Sequence, residues 1–195
     1  MIIMIIELSI IKLSQEVNMS VADRSIDPRI IERAKEEFLQ KGFLDASLQE
    51  ICKNAGVTTG ALYKRFKGKE ELFCALVEST VQDLEEVVRQ KSVLPATLTD
   101  EQLKKAWDMD REYMQWWFDY LYDRYDEMRL LLVFSDGTKY ANFEHEWVES
   151  MSHTTYAYYK EAQRRGLTKT DISEKELHVM LSSFWTAICE PLMHG

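Results

Sequence analysis

Residues 47–66 read Ser-Leu-Gln-Glu-Ile-Cys-Lys-Asn-Ala-Gly-Val-Thr-Thr-Gly-Ala-Leu-Tyr-Lys-Arg-Phe, and this run constrains the fold more than any other part of the chain. Ser47 followed by Glu50 has the spacing of a capping box, so a helix is expected to begin there. Leu48, Ile51 and Ala55 fall on one helical face, which predicts that this face is buried. Gly56 stands where the helix must end and the chain must turn, a position that favours left-handed backbone. Val57 is placed to plug the small core under the turn. Thr58 is placed to cap a second short helix carrying Thr59, Gly60, Ala61, Leu62, Tyr63 and Lys64. Two short helices joined by a tight glycine turn can lay the second helix in a DNA major groove.

The chemistry of the second helix suits that groove. Residues 58–69 contain Lys64, Arg65, Lys67 and Lys69 and no acid, a local charge of +4 of the kind phosphate contacts require. Thr58 and Thr59 offer hydroxyls to phosphates or base edges. Gly60 and Ala61 are small enough for close approach, and Ala61 could touch a thymine methyl. Leu62 and Phe66 have core spacing. The chain as a whole carries −9, which taken alone argues against DNA. Residues 21–77 hold 10 basic and 9 acidic residues, however, while the remainder holds 14 and 24. The acidity therefore belongs to the second part, where it keeps other faces off DNA.

From Pro28 to Leu76 the chain resembles the DNA-binding domain of the TetR family of bacterial repressors. The ordered combination carries the resemblance: Arg29, Ile30, Ala34, Phe38 and Gly42-Phe43, then Ser47-Leu48, Ile51 and Ala55-Gly56-Val57. It continues through Gly60-Ala61-Leu62-Tyr63, Phe66, Lys69 and Glu71-Leu72. The resemblance implies an all-helical homodimer that binds palindromic operator DNA and leaves it when a small molecule enters the C-terminal domain. It implies phosphate contacts from Tyr63 and Lys69. With the residues read above, the expected DNA-contact set is Ser47, Thr58, Thr59, Gly60, Ala61, Tyr63, Lys64 and Lys69. Gly68 departs from the family, which usually has a serine-like cap there; glycine is the weaker choice. The family also usually carries one more helix than the last expected here, so the sequence is truncated or its dimer is built differently.

The expected architecture is all-α. An N-terminal extension covers 1–22, a three-helix helix-turn-helix domain 23–68, and a linker helix with a helical ligand-binding and dimerisation domain 69–195. The apolar start, Met1 to Ile6, is too short and wrongly flanked for a signal peptide or membrane span. It reads as a misassigned start, with Met19 the true one, or as a short helical arm. Asp27-Pro28 opens the first helix, on which Ile30, Ala34 and Phe38 share a face. A fourth helix runs from about Lys69 to Lys91, and Ser92 to Leu98, with Pro95, connects to the second half. Thr99 with Gln102 caps a helix running through Trp107, Met114, Trp117 and Leu121 to about Asp123. A shorter helix follows over Glu127 to Phe134, a long one from about Lys139 to Arg165, and a last one capped by Ser173 with Glu176. Only 7 Gly and 3 Pro interrupt these patterns. Cys52, Cys74 and Cys189 show no paired spacing, which points to free thiols in a reducing, cytoplasmic setting.

The second half carries 17 of the 22 aromatic residues, including all 5 Trp. With adaptable methionines, these could line a cavity for a small hydrophobic or aromatic effector. The expected lining is Tyr113, Trp117, Phe134, Trp147, Met151 and Trp185. Taken one at a time, each is more simply explained as core. His145, His153, His178 and His194 are scattered without metal-ligand spacing, and no phosphate loop, nucleophile elbow or zinc-protease pair is present. No cofactor, metal site or catalytic residue is therefore expected. Two other readings stand beside the ligand-responsive repressor. One is a DNA-binding regulator without small-molecule control. The other is a helical enzyme or scaffold whose helix-turn-helix only packs, against which the basic patch and the small Gly60-Ala61 surface argue.

Overall fold

The computed structural model describes residues 28–94, 97–106 and 110–194. The expectations for residues 1–22, Met19, Asp27, Pro95 and Trp107 lie outside the described residues. Within them the chain forms nine helices and no strand. Helix α1, Pro28–Asp45, buries Ile30, Ala34 and Phe38 on the face its spacing predicted. Gly42 interrupts it at φ 74°, ψ 168°, so the last residues form a separate turn. Helices α2, Leu48–Ala55, and α3, Thr59–Tyr63, are the motif, and α4, Lys69–Lys91, leads away from it. Gly56 takes the left-handed conformation at φ 66°, ψ 34°. Behind it the Val57 N–H donates to the Cys52 carbonyl at 3.0 Å, closing the turn. Phe38, Phe43 and Phe73 pack ring to ring at 5.2–6.0 Å under the motif, joining α1 to α4.

Helices α5, Asp100–Lys105, and α6, Arg111–Asp123, stand where one continuous helix was expected. The start of α6 has its own cause: the Asp110 carboxylate accepts the Tyr113 N–H at 2.8 Å, a cap that favours a new helix over a continued one. Helix α7 spans Tyr125–Val133 and α8 spans Phe143–Arg164. The start of α8 is later than expected because hydroxyls hold residues 135–140 in a turn. Ser135 Oγ donates to the Leu131 and Tyr140 carbonyls, Thr138 Oγ1 donates to the Ser135 carbonyl, and the Tyr140 N–H donates back to Thr138 Oγ1. Helix α9, Glu174–His194, opens on a complete capping box between Ser173 and Glu176. A single apolar core runs from Ile30 through α4, α6, α7 and α8 to Leu192, so the motif and the second half are packed on one another. A small satellite of Leu98, Leu103 and Tyr158 seats α5 against α8.

Candidate nucleic-acid interface and effector cluster

The motif owes its shape to local hydrogen bonds. Ser47 Oγ accepts the Glu50 N–H at 3.4 Å, half of the expected capping box. The other half is replaced. The Ser47 N–H donates at 3.0 Å to Glu37 on α1, whose same oxygen takes the Lys41 ammonium at 2.8 Å. Glu50 instead meets Lys53 at 3.3 Å. Burial raises the Glu37 carboxyl pKa, but Lys41 and the Ser47 N–H outweigh it, and the group lies below its ordinary value. Glu37 was missed by sequence reasoning; its ten-residue separation from Ser47 leaves no local signal. On α3, Thr58 Oγ1 accepts the Ala61 N–H at 3.2 Å and caps the helix as expected. Thr58, Thr59, Gly60, Tyr63 and Lys64 are exposed, Ser47, Ala61 and Lys69 are half-buried, and Leu62 and Phe66 are buried beneath them.

Lys69 opens α4 and is tied back to α1. Its ammonium donates to the carbonyls of Leu44 at 2.8 Å and Ala46 at 3.0 Å, and sits 4.8 Å from the Phe43 ring. An ammonium has three N–H donors, so two are engaged and one remains for a phosphate. Gly68 gives α4 no side-chain cap, and the Glu71 carboxylate takes the Lys67 N–H at 2.7 Å in its place.

Four of the six residues expected to line a pocket come together. Trp117, Trp147 and Trp185 lie with ring centroids 5.6–6.4 Å apart, and Tyr113 joins Trp117 at 6.4 Å. Trp116 and Tyr120 complete the group, each in contact with Trp117. Sequence reasoning passed over these two, although Tyr113, Trp116, Trp117 and Tyr120 follow the i, i+3, i+4, i+7 spacing of one helical face. Met151 is half-buried against the same core, one turn beyond Trp147. Phe134 is set apart, at the junction with α1. Two polar atoms in the cluster, the Tyr120 hydroxyl and the Trp185 indole N–H, are buried without a hydrogen-bond partner among the described residues. Burial holds the Tyr120 hydroxyl well above its ordinary pKa, so it stays protonated. Arg124 lies 4.1 Å from the Tyr120 ring centroid and pairs at 3.0 Å with Asp83 of α4, a nearly buried bridge from the cluster to the helix that leads to the motif.

The junction has a second set of links. The Phe43 N–H donates to the Phe134 carbonyl at 3.0 Å. The Lys139 N–H donates to Glu70 at 2.9 Å, the Tyr140 hydroxyl to Glu78 at 2.9 Å, and Lys35 meets Asp126 at 2.8 Å. Among the described residues no three His, Cys, Asp or Glu side chains are placed to hold a metal ion, and no helix is long and apolar enough to cross a membrane.

A helix-turn-helix set on an all-helical body defines the class, and the comparisons agree with it. Residues 30–76 match the family model described as Bacterial regulatory proteins, tetR family. The chain is 46% identical over 57 residues to the HTH-type transcriptional regulator SrpR of Pseudomonas putida, covering 29% of this chain and 27% of that protein. It is 37% identical over 60 residues to the HTH-type transcriptional regulator UidR of Escherichia coli strain K12, covering 31% of each. These matches thus span about a third of the relatives' lengths or less. The fold likeness reaches further. SCO3833, a TetR-family member from Streptomyces coelicolor A3, superposes with TM-score 0.59 at 19% identity, over 88% of this chain and 79% of that one. The TetR family regulator PfmR from Thermus thermophilus superposes with TM-score 0.56 at 16% identity, over 84% of each chain. Residues 30–76 thus carry the helix-turn-helix segment of the tetR family of bacterial regulatory proteins.

Proposed function

We propose that the protein is a transcriptional repressor that binds palindromic operator DNA as a homodimer in the cytoplasm and leaves it on binding a small hydrophobic or aromatic effector. One observation carries the DNA reading: α3 holds Thr59, Gly60, Tyr63 and Lys64 exposed on one capped helix while Leu62 and Phe66 anchor it from beneath. In this reading Tyr63, Lys64 and Lys69 meet phosphates, Ser47 and Thr58 support the backbone contacts, and Thr59, Gly60 and Ala61 face base edges. The dimer reading is supported by α9, which leaves Val179 and Met180 more than 60% exposed and Phe184 partly so.

The effector reading is supported by the ring cluster of Tyr113, Trp116, Trp117, Tyr120, Trp147 and Trp185. Its buried Trp185 N–H can only donate, so an effector seated there would carry an acceptor atom on an aromatic body. Met151 would sit at its margin, and Phe134, at the junction with α1, would receive a displacement passed on from the cluster. Both Asp83–Arg124 and the Phe43–Phe134 bond would transmit such a change to the motif.

The test is reciprocity. Operator-containing DNA from the chain's own upstream region is bound, and effector candidates are titrated with and without it while tryptophan fluorescence is followed. An effector that weakens DNA binding must itself be weakened by DNA to the same factor. Equal effector affinities would leave a DNA-binding regulator without small-molecule control. Failure to bind DNA at all would remove the whole reading.

A further inference from the structure

Lys69 donates to two carbonyls of the turn that ends α1, and that turn is gripped from the other half of the molecule. The Phe43 N–H is held by the Phe134 carbonyl at 3.0 Å. Gly137, at φ +87°, packs directly on the turn: a Cβ there would lie 2.5 Å from Leu44 Cδ2 and 3.4 Å from both Leu44 Cγ and Phe43 Cδ1. The next residue along α4 is held by the same segment, because Glu70 accepts the Lys139 N–H at 2.9 Å. Two turns further on, Glu78 accepts the Tyr140 hydroxyl at 2.9 Å and the Lys139 ammonium at 3.4 Å. The segment's own shape is fixed by the Ser135 and Thr138 hydroxyl bonds.

We infer that the segment Phe134–Tyr140 is a positioning element for the Lys69 ammonium, and so sets from outside the helix-turn-helix how well the motif engages phosphate. The inference rests on the DNA-binding reading above. A lysine head on a flexible four-carbon stem has no preferred direction of its own. Here the Leu44 and Ala46 carbonyls give it one, and the uncapped start at Gly68 does nothing to fix it otherwise. Moving the turn therefore moves the ammonium, and the turn's neighbours in the second half are Phe134 and Gly137. The path is short and consists of named contacts: the end of α7, the Phe134 carbonyl, the Phe43 N–H, the Leu44 and Ala46 carbonyls, and Lys69.

The segment can be perturbed without any effector. Gly137→Ala forces an L residue into left-handed backbone and pushes on Leu44 and Phe43. Binding is measured by fluorescence anisotropy with a labelled duplex from the chain's own upstream region and with a randomised duplex pool, from 50 to 200 mM salt. Each protomer of the dimer loses one phosphate contact, so the slope of log affinity against log salt falls by about 1.8 and the variant should lose about 12-fold less affinity over that range than the unaltered chain. Lys69→Ala should show the same slope, and Gly137→Ala combined with Lys69→Ala should lower it no further. Leu44→Ala removes the atoms that the added methyl group would meet most closely, leaving only Phe43 Cδ1 at 3.4 Å, and should restore most of the slope lost in Gly137→Ala. That rescue separates displacement of the turn from simple damage to the loop.

A wild-type slope in Gly137→Ala, or a second equal decrement on top of Lys69→Ala, overturns the inference. Should Gly137→Ala lose its helical circular dichroism, Tyr140→Phe takes its place, since it keeps the ring and removes the hydroxyl that bonds Glu78. A decrement that disappears in the Lys69→Ala background supports the inference, and a wild-type slope overturns it. An unaltered chain that binds neither duplex overturns the DNA reading itself, an outcome distinct from failure of the loop.

Discussion

The DNA-facing end and the ring cluster treat their polar groups in opposite ways. Around the motif, three of the polar side chains that would contact DNA are already engaged in local structure. Thr58 caps α3, Ser47 caps α2 and is held by Glu37, and two of the three Lys69 donors lie on main-chain carbonyls. In the cluster, the Tyr120 hydroxyl and the Trp185 N–H are buried and unmatched among the described residues. A surface that must meet DNA in one register is best preorganised, because ordering it at the moment of binding opposes affinity. A site that exchanges a ligand for its own contacts needs groups not already satisfied by the protein. The two regions differ, then, in which state of the protein completes their hydrogen bonds.

The largest expected effect tests the rigidity of the first region. Phe73 is fully buried and meets both Phe38 and Phe43, at 5.2 and 5.6 Å. Phe73→Ala should cost about 3–5 kcal/mol, the range for truncating a buried phenylalanine. Urea unfolding gives the number. DNA binding should be lost in parallel, since the same rings support α1 and the turn that Lys69 touches. A loss below about 1 kcal/mol would mean that the trio is loosely packed and the motif less rigid than described.

Glu37 gives a smaller effect with a distinctive pH dependence. Glu37→Ala leaves the Ser47 N–H without its partner, at a cost of about 1–3 kcal/mol. The sign follows from the lowered pKa. A carboxyl more acidic in the folded chain than in the unfolded one stabilises fully above the unfolded value, and that contribution is lost as pH falls through the folded value. The stability gap between the unaltered chain and Glu37→Gln should therefore be constant near neutrality and shrink as pH falls below the ordinary glutamate value of about 4.3. Thermal unfolding across that range measures it. A gap that widens on acidification reverses the assignment.

What could be read from the chain divides along the same boundary. The motif was legible because its signals are local. Ser47, Gly56 and Thr58 act within four residues of themselves, and Ile51, Ala55 and Leu62 have the spacing their burial requires. The error there, a complete capping box at Ser47 and Glu50, arose where a partner from another helix displaced the local one. The broken helix at Asp110 and the late start of α8 at Phe143 had local causes too, short polar side chains that compete with the helix, but hydrophobic spacing carried more weight in the reading. In the second half, the helical face of Tyr113, Trp116, Trp117 and Tyr120 was visible as a spacing. Its meeting with Trp147 and Trp185 was only a compositional expectation. The position of Phe134 on α1 was not legible, because it depends on how far the turn at 135–142 carries the chain before α8 begins. Which buried atoms go unmatched depends on every neighbour at once, and no pattern along the chain records it.

The smallest expected effect is the sharpest test of the comparison. Trp185→Phe keeps an aromatic ring against Trp117 and Trp147 and removes the indole N–H along with part of the ring. If that N–H is unmatched in the free protein, its removal relieves the cost of a buried, unpaired donor, about 1–3 kcal/mol. Against this stands the loss of packing from a smaller ring, about 1 kcal/mol for a void the size of a methyl group. The two terms oppose each other, so stability should change by less than about 1 kcal/mol in either direction, small for a buried tryptophan. A matched donor behaves differently: its loss leaves an unpaired acceptor as well as a cavity, the two costs add, and the variant should lose well over about 2 kcal/mol. Tyr120→Phe repeats the comparison without a change of ring size, and is expected to be neutral or stabilising for the same reason. Unfolding of the two variants in urea, read beside Thr58→Ala in the motif, completes the contrast. The cap is a satisfied group, and its removal should cost about 1 kcal/mol. If all three variants lose stability together, the cluster's polar atoms are as fully engaged as those of the motif, and the distinction between the two regions fails.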